Sequence, residues 1–120
     1  MAWDPTVQHL EQLRPEIQLP AFYLVNAARE VGVPLVITSG LRSVAHNASV
    51  GGVPMSWHLQ GLAFDVAVLG WNWRQVPAWW WEALGAYGEG LGLRWGGRFG
   101  SYDPIHFDLP AVYREGPGAV

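Results

Sequence analysis

The stretch Leu62–Val68, which reads LAFDVAV, decides how the rest of this chain can be interpreted. Its alternating and β-branched residues predict a strand buried in a sheet. Its one charged residue, Asp65, lies in the middle of the strand, where little water is expected. Because an isolated buried charge is very costly, this carboxylate needs a partner. Asp65 is therefore the first candidate for a functional residue.

Further strands are predicted where apolar runs lie between glycine and proline turns, at 34–38, 93–95 and 105–108. The segment 39–61 is rich in Gly and Ser and lacks periodicity, so we predict mostly loop, with one helical turn near 44–48. Loops of this length usually carry function.

Helices are predicted from apolar residues at helical spacing together with capping residues. Three segments meet these criteria: one that begins at Asp4 and Pro5 and is interrupted by Pro15 and Pro20, one from about 21 to 30, and one from 77 to 91. Helices before and after short strands predict an α+β fold. We expect a single domain over residues 1–120, built on a small, mainly antiparallel sheet.

The composition excludes several classes of protein. Half of the 120 residues are hydrophobic, which is enough for one compact core, whereas a net charge of -3 and a pI near 5.7 argue against nucleic acid as a partner. The absence of cysteine excludes disulfides, thiol nucleophiles and cysteine-ligated zinc. No stretch suits a membrane span or a signal peptide, so we expect synthesis in the cytoplasm without stable membrane insertion.

Residues that can bind a metal concentrate in two places, His58 with Asp65 and Asp103 with His106. A catalytic zinc site uses three nitrogen or oxygen ligands and leaves the fourth position for water. His58, Asp65 and His106 supply two imidazoles and one carboxylate, a ligand set that suits zinc. Asp103 lies three residues before His106 across a turn that contains proline, and it is our candidate general base.

Four motifs occur in order along the chain: SGLRS at 39–43, SWHLQGLAFD at 56–65, WGG at 95–97 and DPIHF at 103–107. Together they resemble the VanY-like peptidoglycan peptidases, which comprise zinc D-alanyl-D-alanine carboxypeptidases and L-alanyl-D-glutamate endopeptidases. The resemblance covers about residues 34–109. The combination of S-x-H-x-x-G-x-A-x-D with a later D-x-x-H is specific, although each piece alone would be weak.

The resemblance implies that His58, Asp65 and His106 bind one zinc ion and that Asp103 is the catalytic base. This assignment agrees with the interpretation from the residues alone. It implies metal-assisted hydrolysis, in which zinc activates a water molecule and Asp103 takes its proton.

The resemblance also implies that Arg42 contacts the substrate and stabilises the oxyanion, and that Ser56 binds the peptide substrate. We expect Trp95 and Phe107 to form walls of the site. The expected substrate is a peptidoglycan stem peptide. We expect the protein to be a monomer and to have no separate cell-wall-binding domain. We favour an L-alanyl-D-glutamate endopeptidase over a D-alanyl-D-alanine carboxypeptidase. The expected role is that of a phage-type endolysin, which acts on the cell wall after its release from the cytoplasm.

Simpler interpretations stand beside these assignments. Asp65 could be only an ion-pair partner, Asp103 could only begin a turn, and Arg42 could be a surface cation. His9 and His46 are predicted to be structural residues. A zinc-bearing module without turnover, or a virion component, is the alternative to an enzyme.

Two further sets of residues are ambiguous in the sequence. Asp108 is predicted to be a solvent-side strand residue or the partner of an arginine. The run Trp79–Trp81 is predicted to pack mainly in the core, with at least one of its rings reaching a groove or solvent, because successive helical residues point about 100° apart.

Overall fold

The computed structural model describes residues 3–52 and 56–110. This part of the chain forms four α-helices and one antiparallel sheet with strand order β1-β2-β4-β3. The helices are α1 (Thr6–Gln12), α2 (Pro15–Glu30), α3 (Val44–Ser49) and α4 (Ala78–Gly90), and the strands are β1 (Leu35–Ser39), β2 (Ala63–Val68), β3 (Arg94–Trp95) and β4 (His106–Asp108). The predicted α+β fold with a small antiparallel sheet is confirmed. Each predicted strand agrees with an observed one to within one residue at either end.

The N-terminal helices divide at a different place from the predicted one. The break lies at Leu13 and Arg14, which are extended, and α2 begins directly with Pro15. The residue before a proline is pushed into the extended region, and proline suits the first helical turn. Pro20 lies inside α2, so the prediction that it interrupts the helix is wrong. The helix gives up one hydrogen bond there but buries an apolar face that includes Ile17 and Leu24.

The hydrophobic core lies between one face of the sheet and the helices α2 and α4. Phe64 of β2 and Phe107 of β4 are register partners, and their rings stack with centroids 5.6 Å apart. Trp95 of β3 is the register partner of Phe107 on the other side. Both Trp95 and Phe107 are buried in this core, so the prediction that they form walls of the site is wrong. Strand alternation directs them away from the face that carries His106.

The tryptophan run of α4 divides between the core and the surface, as its helical geometry requires. Trp81 is buried and its indole N–H donates to the Trp73 carbonyl at 3.0 Å, whereas the Trp79 side chain is 70% exposed. The prediction that at least one ring leaves the core is confirmed. Within the described ranges, no helix has both the length and the apolar character needed to cross a membrane.

Two glycines of α4 allow the helix to lie directly on the aromatic rings of the sheet. A Cβ atom at Gly85 would overlap the indole ring of Trp95, and one at Gly88 would lie 2.6 Å from the Phe107 ring. Glycine weakens a helix by roughly 0.5–1 kcal/mol relative to alanine. The close packing of two buried rings offsets that cost.

We expect Gly85→Ala to lower the free energy of unfolding by about 1–3 kcal/mol, because the added methyl group overpacks the core against Trp95. Gly90→Ala is the matched control at the end of the same helix, where a Cβ meets no atom within 4 Å. It should leave stability unchanged or raise it by up to about 1 kcal/mol. Urea denaturation measures both values, and equal stabilities of the two variants would contradict this account of α4.

Candidate metal centre

The register of the sheet brings together two residues that are 41 positions apart in the chain. Asp65 of β2 and His106 of β4 are direct register partners, so their side chains project from the same face of the sheet. This face is opposite to the one that packs against α2 and α4. The His106 ring nitrogen Nδ1 lies 3.1 Å from Asp65 Oδ1.

His58 reaches the same point from the short 3-10 helix Trp57–Gln60, which directly precedes β2. The Ser56 hydroxyl oxygen caps this helix by accepting from the His58 backbone N–H at 3.1 Å. Gly61 ends it in the left-handed conformation with φ 68°, which glycine adopts most readily. His58 Nε2 then lies 3.3 Å from Asp65 Oδ1.

One donor atom from each of His58, Asp65 and His106 lies within 4.8 Å of the others, so the three side chains can hold a metal ion. The two imidazole rings meet edge to face with centroids 5.3 Å apart. Two imidazole nitrogens and one carboxylate oxygen form a donor set that suits zinc.

The remaining ring nitrogens of both histidines are held by acceptors. His58 Nδ1 lies 2.8 Å from the Gly40 carbonyl oxygen, and His106 Nε2 lies 2.8 Å from Asp108 Oδ2. Since a carbonyl and a carboxylate only accept, each of these nitrogens carries a hydrogen and donates it. The nitrogens directed towards Asp65 are thereby left as potential metal ligands, an arrangement typical of metal-binding histidines.

Arg42 lies against the other oxygen of the central carboxylate. Its Nη2 is 2.8 Å from Asp65 Oδ2, while its Nε donates to Ser39 Oγ at 3.0 Å and its Nη1 to Asn47 Oδ1 at 3.3 Å. Only 13% of the Arg42 side chain is exposed. These contacts fix the guanidinium in one orientation. Each terminal nitrogen of Arg42 still has a second hydrogen for another acceptor.

Asp103 lies in the wall of the same cleft, which has a volume of about 570 Å³. Its position depends on Gly96, whose carbonyl accepts from the Asp103 N–H at 3.0 Å. A Cβ atom on Gly96 would overlap the Asp103 carbonyl oxygen. Gly96 therefore permits the close approach of two backbone segments that places Asp103 beside the cleft. Among the described residues, the cleft wall contains the large aromatic side chains of Trp57, Phe99 and Tyr102 instead of those of Trp95 and Phe107.

Asp108 is a part of the site that the sequence left ambiguous. The predicted arginine partner is confirmed, because Arg94 Nε and Nη2 lie 2.7 and 2.8 Å from its two oxygens. The predicted solvent-side position is wrong, because Asp108 is 1% exposed. Its contact with His106 could have been suggested by their spacing, since residues two apart on a strand share a face.

The charges of this cluster shift the titration of its members. Burial opposes charge on Asp65, but hydrogen bonds and charges of His106 and His58 outweigh it and hold the pKa of Asp65 below its ordinary value. Burial likewise opposes charge on His106, and hydrogen bonds to Asp108 and Asp65 outweigh it and raise the pKa of His106 to about 9.

Asp103 shifts in the opposite direction. Burial, together with the negative charge of Asp65, raises the pKa of Asp103 above its ordinary value. A carboxylate with a raised pKa accepts a proton more readily, which is the property required of a general base.

The other sequence-predicted residues are also placed. Ser56 and Arg42 line the cleft with the three candidate ligands. His46 is exposed on α3, and His9 of α1 is half-buried; neither belongs to the cluster of three.

Comparison with known protein families decides the membership of this chain. A model of the peptidase M15 family matches residues 5–94, three quarters of the chain. The chain belongs to the peptidase M15 family. This result confirms the predicted VanY-like family and the prediction of a peptidase. Asp103 and His106 lie beyond the matched residues, so their place in the site rests on the geometry.

Solved structures share the fold of this M15 chain at low sequence identity. The L-Ala D-Glu endopeptidase ChiX of Serratia marcescens is 22% identical with a TM-score of 0.61, over 88% of this chain and 86% of its own. The LD-carboxypeptidase LdcB is 17% identical with a TM-score of 0.64, over 81% and 58%. The zinc complex of the D,D-pentapeptidase VanY from a VanB-type resistance cassette is 18% identical with a TM-score of 0.63, over 81% and 72%. Curated protein sequences gave no match.

We expect His58→Ala to abolish stoichiometric zinc binding, because it removes one of three clustered donor atoms. His46→Ala is the matched control, since His46 is an exposed histidine outside the cluster. Metal content after dialysis against zinc measures both variants. Full zinc content in folded His58→Ala would remove His58 from the ligand set.

Zinc affinity should rise with pH between 7 and 9, because His106 is protonated at neutral pH and must lose a proton to bind a metal through Nδ1. Above the His106 pKa of about 9 this contribution ends. Titration calorimetry at pH 7 in two buffers of different ionisation enthalpy measures the released proton. Zinc binding without proton release at pH 7 would contradict the assignment of His106 as a zinc ligand.

Proposed function

We propose that this M15 peptidase is a zinc-dependent endopeptidase that cleaves the L-alanyl-D-glutamate bond of peptidoglycan stem peptides. The observation that carries the proposal is the cluster of His58, Asp65 and His106 in one cleft with Asp103 and Arg42. A single zinc ion would complete this cluster.

Zinc held by these three side chains would lower the pKa of water and polarise the scissile carbonyl. Asp103 is the residue that would take the proton of the attacking water and then pass it to the leaving amine. Its raised pKa suits both steps, since the same group must accept and then release a proton.

Arg42 would stabilise the negative charge that develops on the carbonyl oxygen as the tetrahedral intermediate forms. Its guanidinium is already fixed by Ser39, Asn47 and Asp65, so little reorganisation accompanies the reaction. The Ser56 hydroxyl lies in the cleft wall, where it could also accept from a substrate N–H.

The endopeptidase assignment is supported by the similarity to ChiX, which covers most of both chains. The similarity to VanY supports the alternative of a D-alanyl-D-alanine carboxypeptidase. A cleft of about 570 Å³ has room for several residues of a peptide. We also propose that the protein acts as a monomer. We further propose that it is a phage-type endolysin, and lysis of permeabilised cells after addition of the protein would test this role.

Digestion of purified peptidoglycan, with and without a chelator, tests the reaction and its bond. Mass spectrometry should show new D-glutamate amino termini that depend on zinc. Release of D-alanine alone would instead establish the carboxypeptidase. The absence of cleavage by the zinc-loaded protein would favour the non-catalytic zinc module.

Asp103→Asn should retain zinc and lower kcat by a factor of about 100 or more, because the amide cannot accept the proton of water. Glu82→Gln is the matched control, since it neutralises an exposed carboxylate of α4 outside the cleft. Initial rates on a soluble stem peptide measure both variants. Wild-type activity in Asp103→Asn would exclude Asp103 as the base.

A further inference from the structure

A buried carboxylate lies behind His106, on the side away from Asp65. Asp108 is the second residue after His106 on β4, so both side chains project from the same face of the sheet. Asp108 is 1% exposed, and its Oδ2 accepts from His106 Nε2 at 2.8 Å. A carboxylate this deeply buried requires a strong compensating partner.

Arg94 is that partner. It is the register partner of Asp108 on the edge strand β3, and it binds both carboxylate oxygens through Nε and Nη2, at 2.7 and 2.8 Å. Two parallel charge-assisted hydrogen bonds fix both the position and the plane of the carboxylate. The guanidinium also lies over the Phe99 ring, 5.1 Å from its centroid, and Phe99 in turn contacts the His106 ring.

We propose that Arg94 and Asp108 are positioning residues that hold the His106 ring with Nδ1 towards the metal and thereby set the zinc affinity of the site. The inference rests on the proposed zinc-dependent function. An imidazole ring can turn about its bond to Cβ, and a half-turn places a carbon atom where each nitrogen was. Turning the His106 ring would break the hydrogen bond to Asp108 and leave a buried carboxylate short of one donor.

The alternative is that Arg94 and Asp108 form only a structural ion pair between β3 and β4. An ion pair of that kind would contribute to the stability of the zinc-free protein but not to metal affinity. The two roles therefore differ in a quantity that can be measured separately from folding.

Asp108→Asn is the first test, because asparagine has nearly the same shape but only one oxygen to serve both His106 and Arg94. Zinc affinity is measured by competition with a chromophoric chelator, and the stability of the zinc-free protein by urea denaturation. We expect zinc to bind about 10–100-fold more weakly to the variant. Asp4→Asn is the matched control, since it disturbs the Asp4–Arg29 pair at a distance from the cleft and should leave zinc affinity unchanged.

Arg94→Gln is the second test, and it decides the question if Asp108→Asn does not fold, because the Arg94 side chain is 38% exposed and the glutamine amide can still donate one hydrogen bond to Asp108. It should weaken zinc binding to a smaller extent. The two losses should not add in the double variant, because Arg94 acts through Asp108.

Unchanged zinc affinity in both folded single variants would overturn the positioning role and leave the proposed function intact. Losses that add in the double variant would overturn the action of Arg94 through Asp108. A wild-type protein that binds no zinc would overturn the proposed function, and this inference with it.

Discussion

The pairing of Asp65 with His106 across β2 and β4 is the constraint on which the rest of the site depends. Strand alternation then divides the sheet into two faces with different tasks. Phe64 and Phe107 face the helices and build the core, while their neighbours Asp65 and His106 face the cleft. A slip of one residue would exchange the two faces, burying the charges in the core and exposing the rings. The hydrophobic effect that fixes the core therefore also fixes the candidate metal centre.

The site is a connected polar network rather than a set of independent ligands. Asp65 offers one oxygen to the two histidines and the other to Arg42, whereas both oxygens of Asp108 bind Arg94 and one of them also accepts from His106. Asp65 and Asp108 each lie against an arginine and at least one histidine. Such networks are rigid when every member is satisfied, because the loss of one contact leaves another group buried without its partner.

Local sequence patterns were sufficient to predict the strands and α4, and the three residues predicted to be metal ligands lie in one cluster. Asp65 was identifiable because a charge inside an apolar strand must be compensated. The patterns failed where a contact outside the segment decides the outcome. Pro20 lies in a helix because burial of the apolar face of α2 outweighs the lost hydrogen bond. Trp95 and Phe107 lie in the core because α4 carries glycines where their rings pack. Neither the sequence of α4 nor that of the strands shows by itself that these residues meet.

The Gly96 carbonyl accepts hydrogen bonds from the N–H groups of both Phe99 and Asp103. One carbonyl thus ties both ends of the segment between them, whose Ser101 and Tyr102 are exposed at the cleft. These backbone hydrogen bonds hold Asp103 in place independently of the side chains at positions 101 and 102. Substitutions of Ser101 and Tyr102 can therefore change the shape of the cleft wall, while the Asp103 carboxylate beside them keeps its place. For protein engineering, this short loop is the natural position at which to reshape the cleft without moving Asp103.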